Sequence, residues 1–210
     1  MSLITALEPQ KKKKNRLNLY LDGEFVCGIS AEAVLRHNLK AGDCLPPKIR
    51  DRIIEEEDLE RHLNQAYRLL SYRPRTSKEI KIYLGRKGTP ELLIEKVMVR
   101  LEEQGLVDDH QFARWWIEQR LQFRPKGVMV LKSELLQKGI ERQVVDEVLA
   151  NYESQIHSLA VIERLAQKAV RHYPGLNQKE KRLRLYQYLA RRGFPIGLIK
   201  TTVDKVILST

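Results

Sequence analysis

The chain has almost no cysteine. Cys27 and Cys44 are the only two among 210 residues, too few to frame a disulfide-rich secreted fold. It has no apolar run near the ~20 residues that a bilayer span needs. Met1 to Leu7 lacks the basic start and long apolar stretch of a signal peptide. A reducing cytoplasm is the expected location. The residues of catalysis are missing as well. The histidines are His37, His62, His110, His157 and His172, and no two fall at metal-ligand spacing on one helix. Neither cysteine belongs to a CxxC pair, and there is no GxxxxGK[ST] loop and no GxSxG elbow. Gly85 and Gly88 in Leu84-Gly85-Arg86-Lys87-Gly88 fall at the end of a helix, not between a strand and a helix start. These absences exclude the common enzyme classes, and no cofactor or metal is expected. The chain is expected to act by binding a partner.

What is present is positive charge on a foldable background. Hydrophobic residues make up 42%, too many for a disordered chain. Lys and Arg number 38 against 27 Asp and Glu, a formal charge of +11. Such a balance points to a polyanion or to an acidic protein face as partner. The excess grows along the chain. Residues 1–58 hold 10 basic and 10 acidic side chains, residues 59–150 hold 17 and 13, and residues 151–210 hold 11 and 4.

The first 58 residues read as a small β extension and a linker. Ile4 to Leu7 fits a short strand. After the basic run Lys11–Lys14, Leu17 to Leu21 alternates with period two, and Asp22-Gly23 supplies a tight turn before Phe25-Val26-Cys27 returns. A short helix from about Ala31 to His37, a turn at Ala41–Asp43 and a break at Pro46-Pro47 follow, then a charged linker helix over Arg50 to Asp58. A lone hairpin is marginal and must pack on something.

From Leu59 the period becomes helical and the sequence repeats. Gly88, Gly139 and Gly193 are each preceded by a base, Lys87, Lys138 and Arg192. Eight residues before the glycines stand Ile80, Leu131 and Leu185; four before stand Leu84, Leu135 and Leu189. Six after stand Ile94, Val145 and Ile199; ten after stand Met98, Leu149 and Val203. An i, i+4 apolar pair, a glycine stop and a second such pair make a helix–turn–helix unit. The base before each glycine complements the dipole of the helix it ends. A longer helix precedes each unit, at about Leu59–Ser71, Asp109–Phe123 and Ser154–His172. The expected fold is mostly α: a β-hairpin extension (1–58) and three three-helix repeats (59–107, 108–152 and 153–210). Units this small share cores by stacking.

Asp108-Asp109 is the one paired-carboxylate candidate for chemistry, and its place before a helix makes it an N-cap, with Val107 packing as a staple. On the helix that follows, Trp116 is expected to join Phe112 in the core and Trp115 to be half exposed. The basic clusters are the candidate contact residues. Arg73 and Arg75 flank Pro74 just before a helix start; Arg120, Arg124, Lys126 and Lys132 bracket a proline–glycine turn; Lys181, Arg184, Tyr188 and Arg191 share one helix face. Cations with a tyrosine can track phosphates and stack a base, although the same stripe would also serve as a solvated face.

Three blocks resemble the RecX family. They are Ser71-Tyr72-Arg73-Pro74-Arg75-Thr76-Ser77-Lys78-Glu79-Ile80; Gly105-Leu106-Val107-Asp108-Asp109 with Phe112-Ala113 and Arg120; and Lys126-Gly127 with Leu131, Glu134-Leu135 and Lys138-Gly139-Ile140. They follow one another in the family's order. The third repeat is similar only in pattern, and the hairpin segment looks like an N-terminal extension that some members carry. The resemblance implies an elongated, curved stack of three three-helix repeats. It also implies a regulator of the RecA recombinase, lying in the groove of the RecA–DNA filament and restraining ATP hydrolysis and strand exchange. Single- or double-stranded DNA is an implied partner, within the filament or directly, with the protein a monomer. A RecA-independent DNA-binding protein is the alternative.

Overall fold

The computed structural model describes residues 1–11 and 13–208; Lys12 of the basic run lies outside the described residues. In chain order the elements are β1 (Ser2–Gln10), β2 (Lys13–Leu21), β3 (Glu24–Ser30), α1 (Ala31–Arg36), β4 (Cys44–Leu45), α2 (Pro47–Leu70), α3 (Ser77–Arg86), α4 (Glu91–Glu103), α5 (Asp109–Phe123), α6 (Val128–Gln137), α7 (Arg142–Ile156), α8 (Leu159–Val170), α9 (Gln178–Arg191) and α10 (Ile196–Leu208). They form two compact units, residues 1–72 with 84–101, and residues 73–83 with 102–210.

In the first unit the expected hairpin is present, turned by Asp22 and Gly23 at φ of 52° and 89°. It is only half of an antiparallel sheet of four strands in the order β3-β2-β1-β4. Only the middle of β1 is visible in the sequence because the β1–β2 register slips between Ile4 and Ala6 and again between Pro9 and Gln10. Each slip breaks the period-two alternation that marks a strand. The sheet gains the support a lone hairpin lacks: Ile4, Leu19 and Ile29 bury completely, in one core with Leu45 and Ile53 of α2.

Where a linker helix and a separate repeat helix were expected, α2 runs unbroken for 24 residues. Pro46 takes the extended N-cap position and Pro47 opens the helix, where its missing N–H would be unused. The charged stretch at Glu55–Asp58 has the composition of a solvated linker, yet one of its acids is inside. Glu57 is 4% exposed. It accepts a hydrogen bond from Ser30 N–H at 2.9 Å and another from Arg16 Nη2 at 2.7 Å, which also donates to Gly28 O at 2.6 Å. A charge so paired can lie under a sheet.

The repeat is real. The twelve equivalent apolar residues, from Ile80 to Val203, are each no more than 3% exposed. Gly88, Gly139 and Gly193 hold φ of 79°, 88° and 79°, the left-handed turn that ends a helix. Within the second unit, α5–α7 enclose a core of Phe112, Ile117, Leu131, Leu135, Val145 and Leu149. A second core, with Ile162, Leu185, Leu189, Phe194, Ile199 and Val203, lies among α8–α10. The helix expected over Ser154–His172 is instead two. The chain breaks at His157 and Ser158, with Ile156 in the former core and Ile162 in the latter. The apolar period runs across a two-residue gap, so periodicity alone could not reveal it.

Adjacent repeats join through the residue before the glycine. Thr76 Oγ1 donates to Lys138 O at 2.9 Å, and Gly127 N–H donates to Arg192 O at 2.8 Å. Thr76 and Gly127 occupy equivalent places, twelve residues before Gly88 and Gly139. The approach is close. A Cβ on Gly139 would overlap the Lys78 side chain, one on Gly193 would overlap Val130, and one on Gly127 would overlap the Gly193 carbonyl. Gly139→Ala therefore combines a left-handed backbone with a clash, and we expect it to lower stability by about 1–2 kcal/mol in urea unfolding. Gly197→Ala, inside α10 with open space around the new methyl, should cause no loss. Equal effects at the two sites would contradict a close-packed joint at Gly139.

Candidate nucleic-acid interface

Half-buried carboxylates sort the candidate cations into two groups. Glu79, in the first turn of α3, receives Arg73 Nη1 at 3.0 Å and Nη2 at 3.2 Å, and Lys138 Nζ at 2.9 Å. Arg75 Nη1 stands 3.9 Å away. On α6, Glu134 receives Arg120 Nε at 2.8 Å, Trp116 Nε1 at 2.9 Å and the Lys126 ammonium. Lys132 pairs with Asp146. Arg73, Arg75, Arg120, Lys126 and Lys132 thus each have an acidic partner inside the fold.

Between these carboxylates stands Trp116. It lies against the core, stacked on Phe112 at 6.0 Å, but half exposed. Lys138 Nζ sits 4.3 Å from its ring centroid and the Arg120 guanidinium 4.2 Å, both cation–π distances. Trp116 thus packs on the core with Phe112, as expected, but like Trp115 it is only half-buried. The bases before the glycines do more than complement a helix dipole. Lys138 reaches Glu79, and Arg192 donates to Pro125 O at 3.1 Å while lying 4.6 Å over the Tyr188 ring.

The paired carboxylate at 108–109 divides its work between two helices. Asp108 caps α5, accepting from His110 and Gln111 N–H, as expected, and Val107 is buried beside it. Asp109 accepts from Ser77 N–H at 2.9 Å, the free donor at the start of α3.

Arg124, Lys181, Arg184 and Arg191 have no acidic partner among the described residues. Arg124 and Arg191 meet at a cleft of about 460 Å³ lined also by Arg120, Lys126, Tyr188 and Arg192. Five cations border it, and Glu134 offsets part of the charge of two. Lys181 and Arg184 are on the same helix but outside the cleft, with Lys181 half-buried and Arg184 exposed. Arg192 was absent from the sequence-derived set because its place before a glycine suggests only a helix-end role. An open site with several unneutralised guanidinium groups can hold phosphates, and each contact releases a counterion.

The comparisons with known proteins agree along the whole chain. The pattern described as regulatory protein RecX N-terminal domain matches residues 2–45. Those described as RecX first, second and third three-helix domains match 63–101, 108–149 and 157–203. The regulatory protein RecX of Staphylococcus saprophyticus is 31% identical over 209 residues, covering 100% of this chain and 76% of that one. That of Chlorobium phaeobacteroides is 35% identical over 156 residues, covering 73% and 99%. A crystal structure of regulatory protein RecX superposes with a TM-score of 0.73 at 26% identity over 97% of this chain and 100% of the other. The structure of RecX from Lactobacillus salivarius gives 0.63 at 25%, over 73% and 99%.

The Glu79 and Glu134 carboxylates make stability pH-dependent. Burial alone would raise the Glu134 carboxyl, but hydrogen bonds from Lys126, Arg120 and Trp116 outweigh it and hold the group below its ordinary 4.5. Burial likewise opposes, and Arg73 and Lys138 overrule, at Glu79. A depressed folded value means stabilisation that is present above the unfolded value and lost as pH falls through the folded one. Glu134→Gln should destabilise by about 1.5–3 kcal/mol at neutral pH, the range for hydrogen bonds to a charged group. In urea titrations the gap between variant and wild type should narrow as pH drops below 4.5. A gap independent of pH would show that the carboxylate's charge contributes nothing.

Proposed function

The chain belongs to the family of RecX regulatory proteins, and from that premise we propose that it regulates the RecA recombinase by binding the RecA–DNA filament in its groove and slowing ATP hydrolysis and strand exchange. The observation that carries this reading is the match of all four RecX segments, in order, along one chain. The unneutralised cations around Arg124 and Arg191 support it physically. A filament carrying DNA is a dense polyanion, and residues 151–210, with 11 basic against 4 acidic side chains, are drawn to it at long range. Regulation then needs no chemistry from this protein. A ligand that binds one filament arrangement better than another shifts the filament toward it by the difference in affinity.

Direct DNA binding without RecA is the second reading, favoured by the same open cations. The two separate on one comparison. Under the first, binding to single-stranded DNA strengthens greatly when RecA and nucleotide are added; under the second it does not.

We expect DNA-dependent ATP hydrolysis by RecA to fall at equal or lower concentration of this protein. No change in hydrolysis or strand exchange at several-fold excess would rule the reading out. Replacing Lys181, Arg184 and Arg191 together by Gln keeps helix propensity. It should weaken filament binding and flatten the log–log salt dependence by roughly one unit for every phosphate the variant no longer neutralises. An unchanged slope would remove these three residues from the interface.

A further inference from the structure

A second cleft, of about 580 Å³, opens beside the first. Tyr188, Arg192 and Arg124 line both. Its other walls come from the end of α5, with Phe123, and from α8 with the turn after it: Arg164, Lys168, His172 and Tyr173. No carboxylate is among its lining residues. Arg164 and Lys168 stand one turn apart on α8 and His172 lies in the turn that follows; all three are exposed and line this wall with hydrogen-bond donors. Opposite chemistry faces them. Phe123 is 68% exposed, an unusual position for a phenyl ring. Tyr173 and Tyr188 are half-buried against the core of α8–α10. The Arg192 guanidinium is fixed from two sides, by Pro125 O and by the Tyr188 ring, so it presents a held planar surface.

A line of cations beside several flat π surfaces, with no acid among them, is what an unpaired nucleotide needs: charge for the phosphate and a plane for the base. A duplex hides its base faces and has no use for the aromatic wall. We propose that this cleft takes one or more unpaired nucleotides of a single strand, with a base stacked on Phe123 and the phosphates along Arg164 and Lys168. The assignment deepens the reading of this face as a nucleic-acid interface and rests on it. Neither the α8 cations nor Phe123 figured among the sequence-derived contact residues.

The test compares chains of equal charge. Fluorescence anisotropy measures binding of the full-length protein to an oligothymidylate, to an oligouridylate and to an abasic deoxyribose phosphate chain of the same length. Wild type should prefer a base-bearing chain over the abasic one by roughly tenfold, and the ratio of the two base-bearing chains assigns the strand to DNA or RNA. Phe123→Ala should remove most of that preference and leave the salt slope unchanged; Phe123→Trp should restore it. Arg164→Gln with Lys168→Gln should do the reverse, flattening the slope while the preference persists. Phe123 is exposed, so the melting temperature of its variants should match wild type. Equal wild-type affinity for base-bearing and abasic chains overturns the proposal, as does a preference that survives Phe123→Ala. If Phe123→Ala leaves the preference intact but abolishes inhibition of RecA, the cleft holds protein and the proposal also fails. RecA hydrolysis with wild-type protein reports separately on filament regulation, so the two readings can fail independently.

Discussion

The second unit depends on a carbonyl oxygen exposed by a left-handed turn. Ending a helix at Gly139 or Gly193 frees the carbonyl of the preceding residue, and the neighbouring repeat claims it, through Thr76 Oγ1 in one case and Gly127 N–H in the other. The glycines do two jobs at once. They permit the positive φ, and their missing side chains let Lys78 and Val130 approach. Side chains reinforce both joints: the Glu79–Lys138 pair and the Asp109–Ser77 bond at one, the Arg192–Pro125 bond at the other.

Internal pairing decides which charges are left for a partner. The fold uses Arg73, Arg75, Arg120, Lys126 and Lys132 on its own carboxylates. A guanidinium already bound by a half-buried acid offers only its remaining donors to a phosphate. Arg124 and Arg191 carry no such obligation among the described residues. The positive face is thus what structural pairing leaves over, and a count of basic side chains overstates it.

Helical periodicity made the α-helical part of the fold legible, down to the equivalent glycines and the buried i, i+4 pairs. It failed where two elements shared one rhythm, as at His157, and where a buried acid interrupted one, as at Glu57. The sheet was half legible because Asp22-Gly23 announces its turn, whereas slips in register hide β1. For the candidate site, sequence could name the cations but not their partners. Glu134 lies 14 residues from Arg120 and 8 from Lys126, and Glu79 lies 59 residues from Lys138. The spacing of Arg164, Lys168 and His172 was visible in the sequence; what was not visible was Phe123 facing them across a cleft.

The joint between the second and third repeats makes few demands on side-chain identity. At Gly127 and Arg192 both hydrogen-bonding atoms belong to the main chain, and the only residue type enforced is glycine. Such an attachment survives almost any substitution around it. A chain that arose by copying one unit could let each copy drift toward its own task without coming apart. That freedom fits a third repeat that keeps the apolar pattern, the glycine and the base before it, while tyrosines and arginines occupy places that other repeats fill differently.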